Sequence, residues 1–440
     1  MRILTADAST PSILLGRAAE EGVEPTLEGA EKQGAWRAWR RVISSMSADE
    51  IIRIVTQSGL RGRGGGAYPT GKKWSECAAQ PSSVKYVVAN GFEADPGAQL
   101  DRTLMERDPH AILEGLAIAA YAIGANQAFI VVKSSAATAA RRLRDAIRAA
   151  EEQGFLGTGV LESSFDLHVE VREVQGAHVL GEETVLLRAI EDKRAQPDQR
   201  PPYPTERGLW EKPTVVNNVE TLATVPWILA HGAAPFSKVG SASNPGTTLV
   251  QVGGSVKQPG IAEVPTGTTL KAIIKLAGGA KGSVKAVLVG GPAGGFLPPS
   301  ELDVALDPIA LKEKGASWGS GTILVADDRA CIVDMAGLMT RYLNDEACGK
   351  TIPCRIGLRR LSEICDRITT GRPRPTDVRL AHDLASDTRD AALCGLEKQA
   401  PDPLMSGMRY FMPEFEDHIV RGICPAGVCQ PLRVAAGAAR

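Results

Sequence analysis

The sequence lacks a surplus of charge of either sign. Its 440 residues carry 50 Lys and Arg against 51 Asp and Glu, which gives a formal net charge of −1. Proteins that bind nucleic acid or anionic membranes normally carry a basic surplus, so we expect neither nucleic-acid binding nor a polybasic membrane patch. With 43% hydrophobic residues, the composition predicts a soluble chain of two to four domains.

Long apolar segments are also scarce. The N-terminus has no sustained apolar core and no small-residue cleavage site, so we expect no signal peptide. The longest uncharged run, residues 115–132, is interrupted by Gly124, Asn126 and Gln127. It therefore predicts a helix, a turn and a buried strand over residues 128–132, and not a membrane span.

Cysteines are rare outside the C-terminal region. Six of the eight lie between residues 348 and 429, whereas Cys77 and Cys331 are isolated in the sequence. Clustered cysteines in a chain without a secretory signal are typical of metal or iron–sulfur ligation in a reducing compartment, and not of disulfides.

What the chain does contain is a glycine-rich segment, residues 59–74, with six glycines in sixteen positions. Glycine lets the backbone approach a ligand closely, four interleaved cations offer charge to a phosphate, and Tyr68 and Trp74 offer flat apolar faces. The segment is not a nucleotide-triphosphate loop, because Lys73 stands where a Mg²⁺-binding Ser or Thr is required. It predicts a loop around a phosphorylated, ring-bearing cofactor, with a purely structural turn as the alternative.

This loop and several ordered motifs resemble the NADH-oxidising, 51-kDa-type flavin subunit of respiratory complex I. The related diaphorase (beta) subunits of NAD-linked formate dehydrogenases and bifurcating hydrogenases share the pattern. The further motifs are Asn-Gly-Phe-Glu-Ala-Asp-Pro-Gly at 90–97, Gly-Glu-Glu-Thr at 181–184, Pro-Pro-Tyr-Pro at 201–204, Lys-Pro-Thr-Val-Val-Asn-Asn-Val-Glu-Thr at 212–221 and a Cys-rich region that begins at Cys348. The resemblance runs from about residue 47 to residue 430.

The expected fold class is α/β. Strand–helix alternation over residues 85–232 predicts a Rossmann-like domain, and helical periodicity from residue 329 predicts a C-terminal helical bundle. The resemblance implies that the first binds FMN, that a ubiquitin-like β-grasp (SLBB) domain follows, and that the bundle carries an iron–sulfur site. We divide the chain into an N-terminal extension (1–46), an FMN/NADH-binding α/β domain (47–240), a β-grasp domain (241–325) and a helical iron–sulfur domain (326–440).

The resemblance also implies cofactor-binding residues. For FMN these are Gly62, Arg63, Gly64, Gly66, Lys73, Asn90, Glu93, Gly181, Glu182, Glu183, Asn217, Asn218 and Thr221. For NADH they are the stacking faces Tyr68 and Tyr203 and the polar contacts Asp95 and Arg200. The chain departs from the family pattern at Glu76, Phe92 and His178. The carboxylate of Glu76 would disfavour a pyrophosphate or a 2′-phosphate close by. We keep NADH as the substrate, and the choice between NADH and NADPH stays open.

The iron–sulfur motif is one cysteine short. The family pattern is Cys-x2-Cys-x2-Cys followed by a later fourth Cys around one [4Fe–4S] cluster, and this chain has Cys348, Thr351, Cys354 and Cys394 at those positions. Cys365 lies eleven residues after Cys354, roughly 16 Å along a helix, which is too far for one cluster. Three outcomes stay open: three cysteines with a weak or external fourth ligand, a cluster completed by a tail cysteine, or no cluster.

The tail forms a second possible metal site. His418, Cys424 and Cys429 are a borderline-soft donor set that suits zinc if a fourth thiolate, such as Cys365, joins them. Buried or free cysteines are the alternative.

Together these features predict an electron-transfer subunit that exchanges hydride between NAD(H) and FMN and passes single electrons to or from iron–sulfur partners. Positioning dominates such a reaction, so we assign no catalytic acid or base. The resemblance implies two partners, a 24-kDa-type subunit with a thioredoxin-like [2Fe–2S] domain and a larger catalytic or iron–sulfur subunit, in a cytoplasmic complex that partners could hold at the inner face of a membrane. A non-catalytic, degenerate paralogue that serves as a structural subunit is the second hypothesis, favoured by Thr351, Phe92 and Glu76. A ligand-binding module built on residues 245–300 is a weaker third.

Overall fold

A wholly parallel, four-stranded sheet forms the centre of the first domain in the computed structural model, which describes residues 1–5, 10–20, 22–430 and 432–434. Its strands are β1 (Tyr86–Gly91), β2 (Gln127–Lys133), β3 (His168–Val174) and β4 (Thr214–Asn218). The strand order is β3-β2-β1-β4, and all three pairings are parallel. Strand β2 pairs with one edge of β1, and β4 pairs with the other edge. In such sheets ligands bind at the carboxyl ends of the strands where the order reverses, here between β1 and β4.

Helices pack around this sheet, as the Rossmann-like prediction requires. They are α1 (Leu27–Lys32), α2 (Arg37–Ser45), α3 (Ala48–Ser58), α4 (Thr70–Ala78), α5 (Leu100–Arg107), α6 (Pro109–Ile123), α7 (Ala137–Glu152), α8 (Glu183–Ile190), α9 (Val219–His231) and α10 (Ala233–Ser237). Side chains cap two of these helices, because Ser47 accepts the N–H of Glu50 at the start of α3 and Asp108 accepts that of Ala111 at the start of α6. Gly115 allows α6 and α9 to touch, since a Cβ there would lie 1.9 Å from the carbonyl oxygen of Leu222.

The N-terminal region, in which the sequence showed no pattern, forms part of the first core. Trp36 and Trp39 are fully buried. The Trp36 ring stacks on Phe155 with centroids 4.7 Å apart, and Trp39 Nε1 donates to the Phe155 carbonyl oxygen at 2.9 Å. These aromatic contacts tie α2 to the segment that precedes β3.

A short hairpin leads into the second domain, a five-stranded mixed sheet. The strands of the hairpin are β5 (Gly240–Ser241) and β6 (Asn244–Pro245), and those of the sheet are β7 (Thr247–Gly254), β8 (Gly260–Pro265), β9 (Val284–Val289), β10 (Gly295–Leu297) and β11 (Thr322–Asp327). The sheet order is β10-β9-β11-β7-β8. Strands β7 and β11, the first and the last of this sheet along the chain, are neighbours and run parallel. Helix α11 (Leu270–Leu276) follows the second strand, and α12 (Pro308–Glu313) precedes the last. This topology confirms the β-grasp prediction.

The C-terminal region is helical, as predicted. Its elements are α13 (Ile332–Asp345), a π-turn (Pro353–Gly357), α14 (Leu358–Thr369), α15 (Asp377–Asp390), α16 (Gly395–Gln399), α17 (Asp402–Glu416) and the short parallel strands β12 (Ile423–Cys424) and β13 (Arg433–Val434). Helix α17 kinks at Phe411, ahead of Pro413. Across the described ranges, no helix is both long and apolar enough to span a bilayer.

Replacing Trp36 by Ala should destabilise the first domain. The substitution removes a fully buried ring and its stacking contact with Phe155, so we expect a loss of about 3–5 kcal/mol in the free energy of unfolding. Trp210→Ala is the control, because that ring is 40% exposed and should cost less. Denaturant unfolding of both variants is the measurement, and equal losses would show that α2 is not part of the core.

Candidate functional site

A cleft of about 990 Å³ opens at the carboxyl ends of β1 and β4, where the sheet topology places a ligand. All the residues assigned to FMN and NADH line this cleft, with the exception of Thr221. Thr221 is fully buried beneath it, and its Oγ1 accepts the backbone N–H of Arg63 at 2.9 Å. Thr221 therefore holds the glycine loop in place from below.

The glycine loop has the form of an anion cradle. Gly65 has φ +94°, and a Cβ there would lie 2.8 Å from the carbonyl oxygen of Gly319, so only glycine fits. At Gly66 a Cβ would meet nothing within 4 Å, which leaves room for a ligand against the backbone. Among the described residues, none accepts the backbone N–H groups of residues 64–67. Successive unpaired N–H groups of this kind bind phosphate oxygens.

Two of the four cations in this segment serve the protein itself. Arg63 is buried, and its Nη1 and Nη2 donate to Asn244 Oδ1 and to the Pro245 carbonyl oxygen, both at 2.5 Å. Arg61 Nε donates to the Ser243 carbonyl oxygen at 2.7 Å. The side chains of these two residues therefore fasten the loop to the β5–β6 hairpin, and Arg63 also lines the cleft.

The cleft carries buried carboxyl groups with raised pKa values. Burial raises the pKa of Glu93 to about 8, and it raises those of Asp101 and Glu220 to about 7. Burial also acts to raise the pKa of Glu183, but Lys73 at 3.0 Å and Arg200 at 2.8 Å hold it below its ordinary value. Near neutral pH the cleft therefore carries less negative charge than its acidic residues suggest.

Hydrogen bonds hold three asparagine side chains at the carboxyl ends of β1 and β4. Asn90 Nδ2 donates to the Gly181 carbonyl oxygen at 3.1 Å, and Asn217 Oδ1 accepts Trp74 Nε1 at 2.8 Å. Asn218 Oδ1 caps α9, while its Nδ2 donates to Asp101 at 2.7 Å. Within the described residues the Nδ2 group of Asn217 has no acceptor, so it is available to a ligand.

Residues assigned to NADH lie at the mouth of the cleft. Tyr203 is 52% exposed and Tyr68 is 40% exposed, so both rings are accessible to a stacking partner. Glu76 is within reach, because the Tyr68 hydroxyl donates to it at 2.8 Å. Asp95 accepts a hydrogen bond from Ser320 and lies 3.7 Å from Nε2 of His178. Glu76 and His178, two of the departures from the family pattern, therefore each contact a predicted NADH residue.

The three cysteines of the incomplete motif lie near one another in the third domain. Burial raises the pKa of the Cys354 thiol to about 12, with smaller contributions from Glu397, Cys348 and Cys394. The Thr351 hydroxyl donates to the carboxylate of Glu397, a residue that sequence reasoning missed. Thiolates are the usual ligands of iron–sulfur clusters, and three of the usual four are present here.

The same segment forms part of the wall of the cleft. Helix α16 begins directly after Cys394, and its Leu396 and Gln399 line the cleft. A short helix thus separates the candidate cluster ligands from the candidate flavin site.

The tail residues belong to a different group. Ligand atoms of Cys331, His418, Cys424 and Cys429, all buried, lie within 4.8 Å of one another. The prediction of Cys365 as the fourth ligand is wrong, because Cys365 packs between α13 and α14, where a Cβ at Gly337 would lie 3.2 Å from its own. Cys331 is isolated only in the sequence. Because it is 87 residues from His418, no local spacing could have revealed it.

The group has the geometry of a metal site. Cys331 Sγ lies 3.4 Å from His418 Nε2 and 3.6 Å from Cys429 Sγ. The hydrogen bond with Cys429 lowers the pKa of the Cys331 thiol despite burial, which favours the thiolate form that a metal ion binds. The Nδ1 atom of His418 lies 2.7 Å from the Glu414 carbonyl oxygen, an outer contact that fixes the imidazole with Nε2 toward the thiols.

A glycine-loop cleft on a Rossmann-like sheet, a β-grasp domain and a thiol-bearing bundle define a flavin-binding class of electron-transfer subunit. Three family models match the chain: the Nuo51 FMN-binding domain over residues 55–227, the SLBB domain over 249–297 and the NADH-ubiquinone oxidoreductase-F iron-sulfur binding region over 334–418. The chain belongs to the family of the F-type subunits of NADH-quinone oxidoreductase.

Similar proteins come from two kinds of enzyme. The chain is 42% identical to the HndC subunit of the NADP-reducing hydrogenase of Solidesulfovibrio fructosivorans, over 89% of this chain and 80% of that one. It is 39% identical to an F-type subunit of the NADH-quinone oxidoreductase of Rhizobium meliloti (strain 1021), over 91% of this chain and 96% of that one. The crystal structure of NAD+-reducing [NiFe]-hydrogenase in the H2-reduced state superposes with a TM-score of 0.82 at 31% identity, over 90% of this chain and 66% of that one.

FMN affinity should fall as the pH rises. Glu93 and Asp101 have raised pKa values of about 8 and about 7, so they are largely neutral at pH 6 and lose their protons by pH 9. The added negative charge repels an anionic cofactor, and we expect the Kd for FMN to rise on the order of tenfold. Fluorescence titration of the apoprotein measures it. Asp101→Asn should flatten the profile, and a profile that steepens or stays unchanged in this variant would contradict the assignment.

Proposed function

We propose that this chain is the NADH-oxidising flavin subunit of a multi-subunit oxidoreductase. The observation that carries the proposal is the glycine loop, whose N–H groups are unpaired within the described residues and face a cleft with room for a ligand. When bound there, FMN takes two electrons as hydride and releases them one at a time. No residue is assigned as acid or base, because the work of the chain is to position the cofactor and the substrate.

Each part of the cleft has a proposed role. The loop N–H groups and Asn217 Nδ2 bind the phosphate of FMN, while Asn90 and Glu93 lie beside its ring. Tyr68 and Tyr203 stack on NADH at the mouth. Lys73 and Arg200, each paired with Glu183, hold that carboxylate away from the phosphate. We also keep the domain division at residues 46, 240 and 325 as a proposal, although α2 of the N-terminal extension packs into the first core and β11 ends two residues past the last boundary.

In the third domain, Cys348, Cys354 and Cys394 would hold an iron–sulfur cluster, which supplies one-electron transfer when present. Their place behind α16 supports this role, because electrons that leave the cleft need an acceptor close by. The relatives from Solidesulfovibrio and Rhizobium are each one subunit of a larger enzyme. We infer that the partners here are a 24-kDa-type subunit with a [2Fe–2S] domain and a larger catalytic or iron–sulfur subunit, in a cytoplasmic complex.

We further propose that the group of Cys331, His418, Cys424 and Cys429 binds zinc. A tetrahedral ion with Zn–S bonds of about 2.3 Å separates its sulfurs by roughly 3.8 Å, close to the 3.6 Å between Cys331 and Cys429. Three cysteines and one histidine complete the coordination without an open position, so the site is structural. It would fasten the tail to the start of α13.

NADH should reduce the bound flavin, and Tyr203→Ala should weaken NADH binding. Loss of one stacking face costs about 1 kcal/mol or more, or roughly tenfold in Kd, whereas Tyr203→Phe keeps the ring and should change little. Anaerobic titration at the flavin absorbance band measures both variants. If neither variant affects NADH affinity, the substrate lies elsewhere in the cleft, and a chain purified without flavin would favour the structural-subunit hypothesis.

The purified chain should contain about one zinc ion that depends on Cys331. We expect Cys331→Ser to lower zinc retention after dialysis against a chelator at least about tenfold, because a hydroxyl is a much weaker ligand than a thiolate. Cys77→Ser, a substitution of another buried cysteine, is the control and should retain the metal. Elemental analysis gives the result, and equal zinc in all three proteins would place the ion elsewhere.

A further inference from the structure

The position left without a cysteine is filled by a hydrogen-bonded pair. Thr351 stands three residues after Cys348 and three before Cys354. Its hydroxyl donates to one carboxylate oxygen of Glu397, and it accepts the N–H of Cys354 at 3.2 Å. The structure therefore brings a carboxylate to the side chain that replaces the missing thiol.

Helix α16 delivers this carboxylate. Cys394 directly precedes α16 in an extended conformation, and Glu397 lies in the first turn of that helix. Its second oxygen accepts the N–H of Leu393 at 2.8 Å, which fixes the side chain against the segment that carries Cys394. Glu397 therefore contacts the residue that replaces the missing cysteine, and it lies in the helix that follows Cys394.

The carboxylate is buried without a compensating charge. Glu397 is only 2% exposed, and in the described part of the chain no Lys, Arg or His forms an ion pair with it. A buried carboxylate is costly unless it is paired with a cation or coordinates a metal. The neighbouring cysteines, themselves anionic as ligands, cannot supply the missing positive charge, but an iron ion can.

We propose that the Glu397 carboxylate is the fourth ligand of the iron–sulfur cluster, bound to the iron that has no thiolate at residue 351. The proposal rests on the proposed function only in requiring that a cluster binds here. A carboxylate restores both the donor and the negative charge that a threonine hydroxyl cannot provide, because the hydroxyl keeps its proton at neutral pH. Thr351 is then a positioning residue that orients the carboxylate.

Other candidates for the fourth ligand are engaged elsewhere. Cys424 and Cys429 belong with Cys331 and His418, and Cys365 is buried between α13 and α14. The outcome left open by the sequence, three cysteines with a fourth ligand of another kind, is the one these contacts favour.

The test compares iron content in wild type, Glu397→Gln, Thr351→Cys and the double variant, each reconstituted anaerobically and then briefly oxidised. We expect about four irons per chain in wild type and about three in Glu397→Gln, with at least a tenfold larger EPR signal from the three-iron form. Thr351→Cys in the Glu397→Gln background should restore four, since it supplies the thiolate directly. Asp402→Asn, a change at a partly buried carboxylate of this domain that pairs with Arg389, is the control and should keep four.

Two results would overturn the proposal. Glu397→Gln could retain four irons with an unchanged Mössbauer spectrum, or wild type could hold no more iron than Glu397→Gln. Flavin content and bleaching by NADH, measured on the same samples, separate this failure from that of the proposed function. Normal flavin with unaltered iron in Glu397→Gln rejects only the ligand. Thr351→Val removes the hydroxyl but keeps the shape of the side chain. It should change the Mössbauer spectrum of the iron that Glu397 binds, while less iron is lost than in Glu397→Gln.

Discussion

The buried guanidinium of Arg63 is the interaction on which the site depends. A buried cation must have hydrogen-bond acceptors, and the acceptors of Arg63 lie in the β5–β6 hairpin, while its backbone N–H binds Thr221 at the start of α9. The loop is therefore fixed to the Rossmann-like sheet and to the entrance of the β-grasp domain together. Burial lowers the pKa of Arg63 to about 10, with Glu220 acting against the shift, so the group remains charged at physiological pH. Once the loop is fixed in this way, its unpaired N–H groups have a defined position.

The cleft must bind anions while its walls carry many acidic groups. Burial raises the pKa values of Glu93 and Asp101, which reduces their negative charge near neutral pH, and Lys73 and Arg200 pair with the carboxylate of Glu183. Glu182 has a further task, since its carboxylate caps α8 by accepting the N–H groups of Thr184 and Val185. The acidic residues are therefore used for position and for charge control, and the backbone N–H groups remain for the phosphate.

Local sequence was sufficient wherever the signal lies within a few residues. The glycine loop was found from the residues alone, because its glycines, cations and aromatic rings lie within sixteen consecutive positions. The features that sequence reasoning missed come from contacts between distant segments. Cys331 joins His418 across 87 residues, and Thr351 meets Glu397 across 46. The role of Arg63 was also missed, because a cation beside glycines suggests a phosphate ligand until its acceptors are known.

Electron transfer through this chain requires that the cleft and the thiol-bearing segment act in sequence across α16. The most direct measurement is anaerobic addition of NADH to the purified, reconstituted chain, with the flavin followed by absorbance and the cluster by low-temperature EPR in the same sample. The account predicts that NADH bleaches the flavin and that a reduced-cluster signal then appears without any partner subunit. Bleaching with no cluster signal, in a chain shown to contain iron and sulfide, would contradict it.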